Sequence, residues 1–342
     1  MFRQDRTNPS TAVSNWRGRH DASKGWPSTA VSSWLNGGLF GVASTGAGYI
    51  GGGHDGGYTA TVEKLLFPSD AISTLSAALS VARGKVASMA NSGTAGYFAG
   101  GFDGVTGNVA TVDKLAFADD TMSTLGTGMP TIWGGAAGFA NSGTAGYFCG
   151  GNDVSGRTDA IIKFAFSDDS RTTLSATLTA AVDQPAAVAN SGTAGYVGGG
   201  EYWSGGSVIV DTVDKIAFSD DSKSTLGTGL SSARYKLAGF ANSGTAGYFA
   251  GGTTGSKVTT VDKFAFADDS RSTLGTGLSA ATDNCAGFAD SGTAGYTLGG
   301  QTSSTVATVD KFAFSDDSRT TLSTGLTAAT WGAGGCANTS GL

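Results

Sequence analysis

Five aspartate pairs recur along the 342-residue chain: Asp119–Asp120, Asp168–Asp169, Asp220–Asp221, Asp268–Asp269 and Asp316–Asp317. Paired carboxylates can hold Ca²⁺, but such a site takes six to eight oxygens, and a two-Asp turn supplies too few by itself. Asp and Ser also cap turns by bonding their own backbone, so turn chemistry is the expectation for "ADD" and "SDDS". Histidine adds nothing to these carboxylates. His20 and His54 are the only two in the chain, too few for a histidine metal cluster or a Ser-His-Asp set inside one domain. Cys149, Cys285 and Cys336 form no C-x-x-C pair, and Cys149 replaces a repeated Ala, as a small core residue would. The expectation is no catalytic set, no metal and no cofactor. A two-carboxylate glycosidase drawn from Asp55, Asp153, Glu201 and Asp283 is the least favoured alternative, because it depends on their separation.

The other side chains fit for contact are aromatic and cationic. Tyr58, Trp133, Tyr202, Trp203, Tyr235 and Trp331 fall in segments that also carry Arg157 and Arg234. Flat apolar faces beside fixed hydrogen-bonding groups suit sugars, and they equally suit a protein hot spot. Glycines are the remaining candidates, 56 in number. A phosphate cradle needs them at a strand-to-helix switch, and no helical pattern follows them here.

The elements that position these residues repeat. "ANSGTAGYFAGG" at 90–101 returns as "ANSGTAGYFCGG" at 140–151, and aligning on the tyrosine gives Tyr49, Tyr97, Tyr147, Tyr196, Tyr248 and Tyr296. Six copies at a period near fifty residues indicate a propeller, solenoid or array. Within the third copy, "AAGFAN", "GYFCGG", "IIKFAF" and "RTTLSATL" read as short strands joined by turns rich in Gly, Asn, Asp and Ser. Each unit is therefore expected to be a four-stranded antiparallel sheet, and the fold an all-β, six-bladed β-propeller. "NSGTA" reads as a hairpin turn, the Gly-Gly pair as close backbone packing near the axis, and the lysines of the third strand (Lys64, Lys114, Lys163, Lys215, Lys263, Lys311) as solvated heads on long stems.

With these motifs in place, the chain resembles the kelch repeat family. "YFAGG" at 97–101 and 248–252 and "YFCGG" at 147–151 fit its second strand, and "VDKLAFADD" at 112–120 fits its third. The resemblance spans about residues 36–342 and implies a kelch-like propeller. Copper oxidases that resemble kelch proteins need two central histidines, which this chain does not have within the ring.

Comparing the copies with one another locates function. "NSGTAG" and "SDDS" hardly change, so one face of the disc is a uniform ring. The opposite face carries "GHDGGYTA" (53–60), "NDVSGRTD" (152–159), "EYWSGGSVIVD" (201–211) and the connections "PTIWGG" and "SSARYK", which all differ. Diversity on loops held by a rigid scaffold is where binding specificity lives. The expected ligand-binding residues are Trp133, Trp203, Trp331, Tyr58, Tyr202, Tyr235, Arg157 and Arg234.

Residues 1–35 lack the blade pattern, and "NPSTAVSNW" (8–16) returns as "WPSTAVSSW" (26–34). Residues 1–38 hold five basic against two acidic side chains, a net +3, which leaves −9 of the total −6 to the body. An acidic body is not expected to bind nucleic acid. The arm reads as an extended docking segment built on Trp16, Trp34, Arg17 and Arg19. No apolar run approaches membrane length, and "MFRQDRTNPS" lacks a signal-type stretch, so neither a membrane partner nor Sec export is expected. In style this resembles the kelch-like propellers among structural proteins of tailed bacteriophages. That resemblance implies a virion protein docked to other virion proteins through residues 1–35 in a larger assembly, with surface glycans as the ligand of the loop face. A free lectin-like or protein-binding propeller is the alternative.

The first-strand pattern occurs seven times, whereas six blades have room for six. "AGGCAN" at 333–338 keeps the Ala-Asn of the repeat and "GLFGVAS" at 38–44 does not. The C-terminal segment is therefore expected to close the ring.

Overall fold

The computed structural model describes residues 46–339, and these form six four-stranded antiparallel sheets without a helix. Blade 1 contains β1 (Ala47–Gly51), β2 (Val62–Leu66) and β3 (Ala71–Thr74). Blade 2 is β4 (Ala87–Asn91), β5 (Ala95–Ala99), β6 (Val112–Ala116) and β7 (Thr121–Thr124). Blade 3 is β8 (Ala137–Asn141), β9 (Ala145–Cys149), β12 (Ala160–Ala165) and β13 (Arg171–Thr177), with a small hairpin, β10 (Asn152–Asp153) and β11 (Gly156–Arg157), between its middle strands. Blade 4 is β14 (Ala186–Asn190), β15 (Ala194–Gly198), β18 (Val213–Ala217) and β19 (Lys223–Thr225), with a second hairpin, β16 (Glu201–Trp203) and β17 (Ser207–Ile209). Blade 5 is β20 (Ala238–Asn242), β21 (Ala246–Ala250), β22 (Val261–Ala265) and β23 (Arg271–Thr273). Blade 6 is β24 (Ala286–Asp290), β25 (Ala294–Leu298), β26 (Val309–Ala313) and β27 (Arg319–Thr321). The last strand, β28 (Gly334–Asn338), pairs antiparallel with β1, with Tyr49 opposite Cys336, and completes blade 1. The molecule is a six-bladed β-propeller closed by its C-terminal strand. The expected arm (1–35) and the segment 38–44 lie outside the described residues.

Burial peaks at the second strand of each blade, the first strand being buried only at alternate positions. The second strand of every blade is buried at all five positions, because it is covered on both faces by neighbouring blades, while the fourth strand is largely exposed. Covering both faces requires holes for the neighbours' side chains. A Cβ on Gly195 would lie 2.0 Å from the Phe139 ring of blade 3, and one on Gly295 would lie 2.0 Å from Phe240 of blade 5. Gly146 likewise admits Met89, and Gly96 admits Cys336. The glycine of "AGY" is thus a socket for the central first-strand residue of the preceding blade. The Gly-Gly pair is also a packing device, but its crowding comes from connections between blades. Gly100 has φ +59 with its missing Cβ 2.3 Å from Trp133 O, and the Gly101 N–H donates to that same carbonyl at 2.7 Å.

Polar stitching joins the blades, and here the structure revises two expectations. The first Asp of each pair caps its own turn, as the Ser222 N–H bond to Asp220 illustrates (3.0 Å). The second Asp, and Asp70 at the same turn position of blade 1, has φ between +53 and +58, a left-handed conformation that Asp tolerates. Its carboxylate reaches into the preceding blade, where Tyr196 Oη donates to Asp269 at 2.7 Å and Lys215 Nζ pairs with it at 2.7 Å. The same Tyr-Lys-Asp set occurs at all six junctions, including Tyr296 and Lys311 of blade 6 with Asp70 of blade 1. The third-strand lysines are therefore not free solvated heads. Each lies over the tyrosine ring of its own blade, 5.2–5.5 Å from the centroid, and is ion-paired to the next blade. Burial, and then the bond to Asp, pushes these tyrosine hydroxyls above their ordinary range. "NSG" stitches too. Asn91 Oδ1 accepts from the Gly143 N–H of the next blade, and the Ser92 N–H donates to Ser142 Oγ. Asn141, Asn190, Asn242 and Asn338 repeat the first of these bonds.

Candidate functional site

The variable loops and the blade connections share one end of the ring. Just before each first strand lies a residue of positive φ, namely Lys85, Gly135, Gln184, Lys236, Asn284 or Gly332. Their backbones are linked in series, from Gly135 N–H to Lys85 O round to Gly332 N–H to Asn284 O. They line a mouth of about 80 Å³ on the axis. Two lysines and two amides give it polar walls, a feature invisible to a reading of one copy at a time.

The expected contact residues divide. Trp203 is 66% exposed on the β16–β17 hairpin, with Tyr202 half-buried beside it in sequence. Arg157 Nη2 pairs with Glu201 Oε2 at 2.7 Å, tying the blade 3 hairpin to that of blade 4, and the Ser207 hydroxyl bonds to Glu201. Asp183 lies buried near this pair, and burial raises its carboxyl above the usual range against the opposing pull of Lys85. Trp331 and Tyr58 both pack on His54, stacked at 5.2 Å and edge-on at 4.9 Å, so the imidazole links these two rings on blade 1. Tyr235 carries Lys236 Nζ 4.9 Å from its ring centroid.

Two of the expected contact residues are corrected. Trp133 is 3% exposed, and its Nε1–H donates to Gly150 O at 2.6 Å, which fixes the ring inside the blade. Arg234 is fully buried and pairs with Asp262 at 2.5 Å, with further bonds to Gly251 O, Thr260 O and Phe249 O. Both sit at the connection position that turns inward, two residues before the mouth. Loop diversity marked them for contact, yet here the diversity belongs to the core. Trp16, Trp34, Arg17 and Arg19 lie outside the described residues.

That inward position shows a pattern the sequence reading missed. In blades 1 to 6 it holds Thr330, Arg83, Trp133, Val182, Arg234 and Thr282. It faces the third-strand position held by Glu63, Asp113, Ile162, Asp214, Asp262 and Asp310. Arg83 pairs with Asp113 at 3.0 Å, both side chains fully buried. Burial lowers both arginine pKa values, and the facing carboxylates oppose the shift. In blade 3 the charged pair is replaced by Trp133 and Ile162, which pack in one cluster. In blades 4 and 6 a fourth-strand cation serves instead, Lys223 with Asp214 at 3.6 Å and Arg319 with Asp310 at 3.3 Å. Blade 1 has Ile72 at that fourth-strand position. Glu63 is 6% exposed and its Oε1 accepts from the Thr327 N–H at 2.9 Å, but among the described residues its Oε2 has no partner, nor has Thr330 Oγ1. A cavity of about 230 Å³ opens beside them, lined by Ile50, Gly52, Thr61, Glu63 and Thr330 and rimmed by Asp55 and Thr74.

Among the described residues no group of three or more His, Cys, Asp and Glu side chains converges as a metal site. All three cysteines are unpaired thiols, and burial pushes that of Cys285 up to about 12. Neither a protein-family model nor a curated protein matches the sequence.

Proposed function

We propose that the protein is a non-catalytic, kelch-like binding propeller that presents its variable loop face to carbohydrate and is carried on a phage virion by residues 1–35. The observation that carries the binding half is Trp203, 66% exposed at the tip of a hairpin held to its neighbour by the Arg157–Glu201 pair. An exposed indole on a rigid mount, beside charged and hydroxyl groups, offers a stacking face with fixed polar partners. The virion half rests on the resemblance of the repeat and on the repeated Ser/Thr/Trp peptide of the arm. Partners in this reading are other virion proteins and surface glycans, and the surface is host-facing.

A glycan array probed with the full chain and with Trp203→Ala tests the binding half. Wild-type binding to a defined glycan set, reduced about tenfold or more by the substitution, is the expected result for loss of a stacked aromatic contact. Binding unchanged by Trp203→Ala, or no binding at all, would remove the glycan role.

A further inference from the structure

We infer that blade 1 holds a recognition socket for a guanidinium group, formed where the ring omits its own arginine. Four of the five buried third-strand carboxylates have a cation within 4 Å, and among the described residues Glu63 has none. The site beside it is open, whereas its equivalents in blades 2 and 5 are filled by Arg83 and Arg234. Blade 5 shows what such a socket offers. There the guanidinium takes Asp262 together with the carbonyls of Phe249, Gly251 and Thr260. The repeat equivalents of these four residues are Glu63, Ile50, Gly52 and Thr61, and all four line the blade 1 cavity. A buried carboxylate oxygen without a donor is costly, and a charged planar donor that also satisfies carbonyls relieves that cost. An ammonium is a point charge with three donors and cannot reproduce the fork. Thr330, in place of arginine, leaves the room for the incoming group, and Asp55 at the rim adds negative charge along its approach.

The ligand class is therefore an alkylguanidinium, either a free guanidino compound or an arginine side chain presented by a peptide. This site is separate from the Trp203 surface and does not depend on it.

Calorimetric titration and thermal melting of the full chain, at ionic strength held constant with NaCl, test the socket with three probes: ethylguanidinium, ethylammonium and acetyl-Gly-Arg-Gly-amide. The expected result is saturable ethylguanidinium binding that Glu63→Gln weakens about tenfold or more. Thr330→Arg fills the socket from within, so it should abolish the response to ethylguanidinium and melt higher than wild type. Binding of the peptide as well as the free cation assigns the socket to arginine side chains, and binding of ethylguanidinium alone assigns it to free guanidines. No saturable binding of either, equal binding of ethylammonium, or undiminished binding to Glu63→Gln would each overturn the proposal. If Glu63→Gln fails to fold, Thr330→Arg alone decides, because a responsive Thr330→Arg protein places the guanidinium elsewhere.

Discussion

Gly195 has no side chain because Phe139 of the preceding blade occupies the place of its Cβ, 2.0 Å away. The requirement is steric and independent of backbone conformation. Gly195→Ala must therefore displace a ring that is itself stacked on Tyr147 at 5.1 Å. We expect Gly195→Ala to destabilise the protein by about 1–3 kcal/mol, the usual range for overpacking a core, read as a lower urea midpoint at unchanged slope. The double variant with Phe139→Val should recover part of the loss, since Val188 fills the corresponding hole at Gly247 in this same ring. Full stability of Gly195→Ala alone would show that the blades can part without cost.

The turns and the closing strand act as whole elements. The sequence made the strands legible, because the Gly, Asn and Asp turns bracket them locally and the copies agree. The second Asp of each pair was legible only as a turn residue. Its tyrosine and lysine partners lie in the preceding blade, for example 71 and 56 residues away from Asp120, and no local spacing reveals a contact at that range. Trp133 and Arg234 were misplaced for a related reason, since a variable connection can vary to fit the core as well as to meet a ligand. Ring closure was legible because one residue pair, Ala337–Asn338, preserved the motif. Deleting residues 330–342 strips β28 from blade 1, exposes the edge of β1 and removes Cys336 from the Gly96 hole. A fall in Tm of roughly 10 °C or more is expected, given the size scaling of unfolding entropy. A thermally silent deletion would show that another segment pairs with β1.

At the scale of the whole ring, six equivalent junctions share one titration behaviour. Tyr49, Tyr97, Tyr147, Tyr196, Tyr248 and Tyr296 have hydroxyls held above their ordinary value near 10, chiefly by burial and then by the bond to Asp. The folded state keeps these protons while an unfolded chain releases them above about pH 10, so their contribution is complete below that pH and is lost as pH rises beyond it. Alkaline unfolding should be steep, with the rise of tyrosinate absorbance from these six coinciding with loss of the β-sheet circular dichroism signal. Their ionisation while the fold persists would contradict the burial of the junctions. The whole-ring view also explains why the blade 1 socket escaped the sequence. Thr330 and Glu63 lie 267 positions apart and meet only because the circle closes. That closure has a consequence for how the chain is born. Strands β1 to β3 leave the ribosome first, yet the partner of β1 is made only when residues 334–338 emerge. Blades 2 to 6 can each form from contiguous sequence as they appear, whereas blade 1 waits, one edge open, through the synthesis of all the others. A nascent chain stalled before β28 therefore presents an unpaired strand edge on β1, open to chaperones, to proteases and to pairing with another chain.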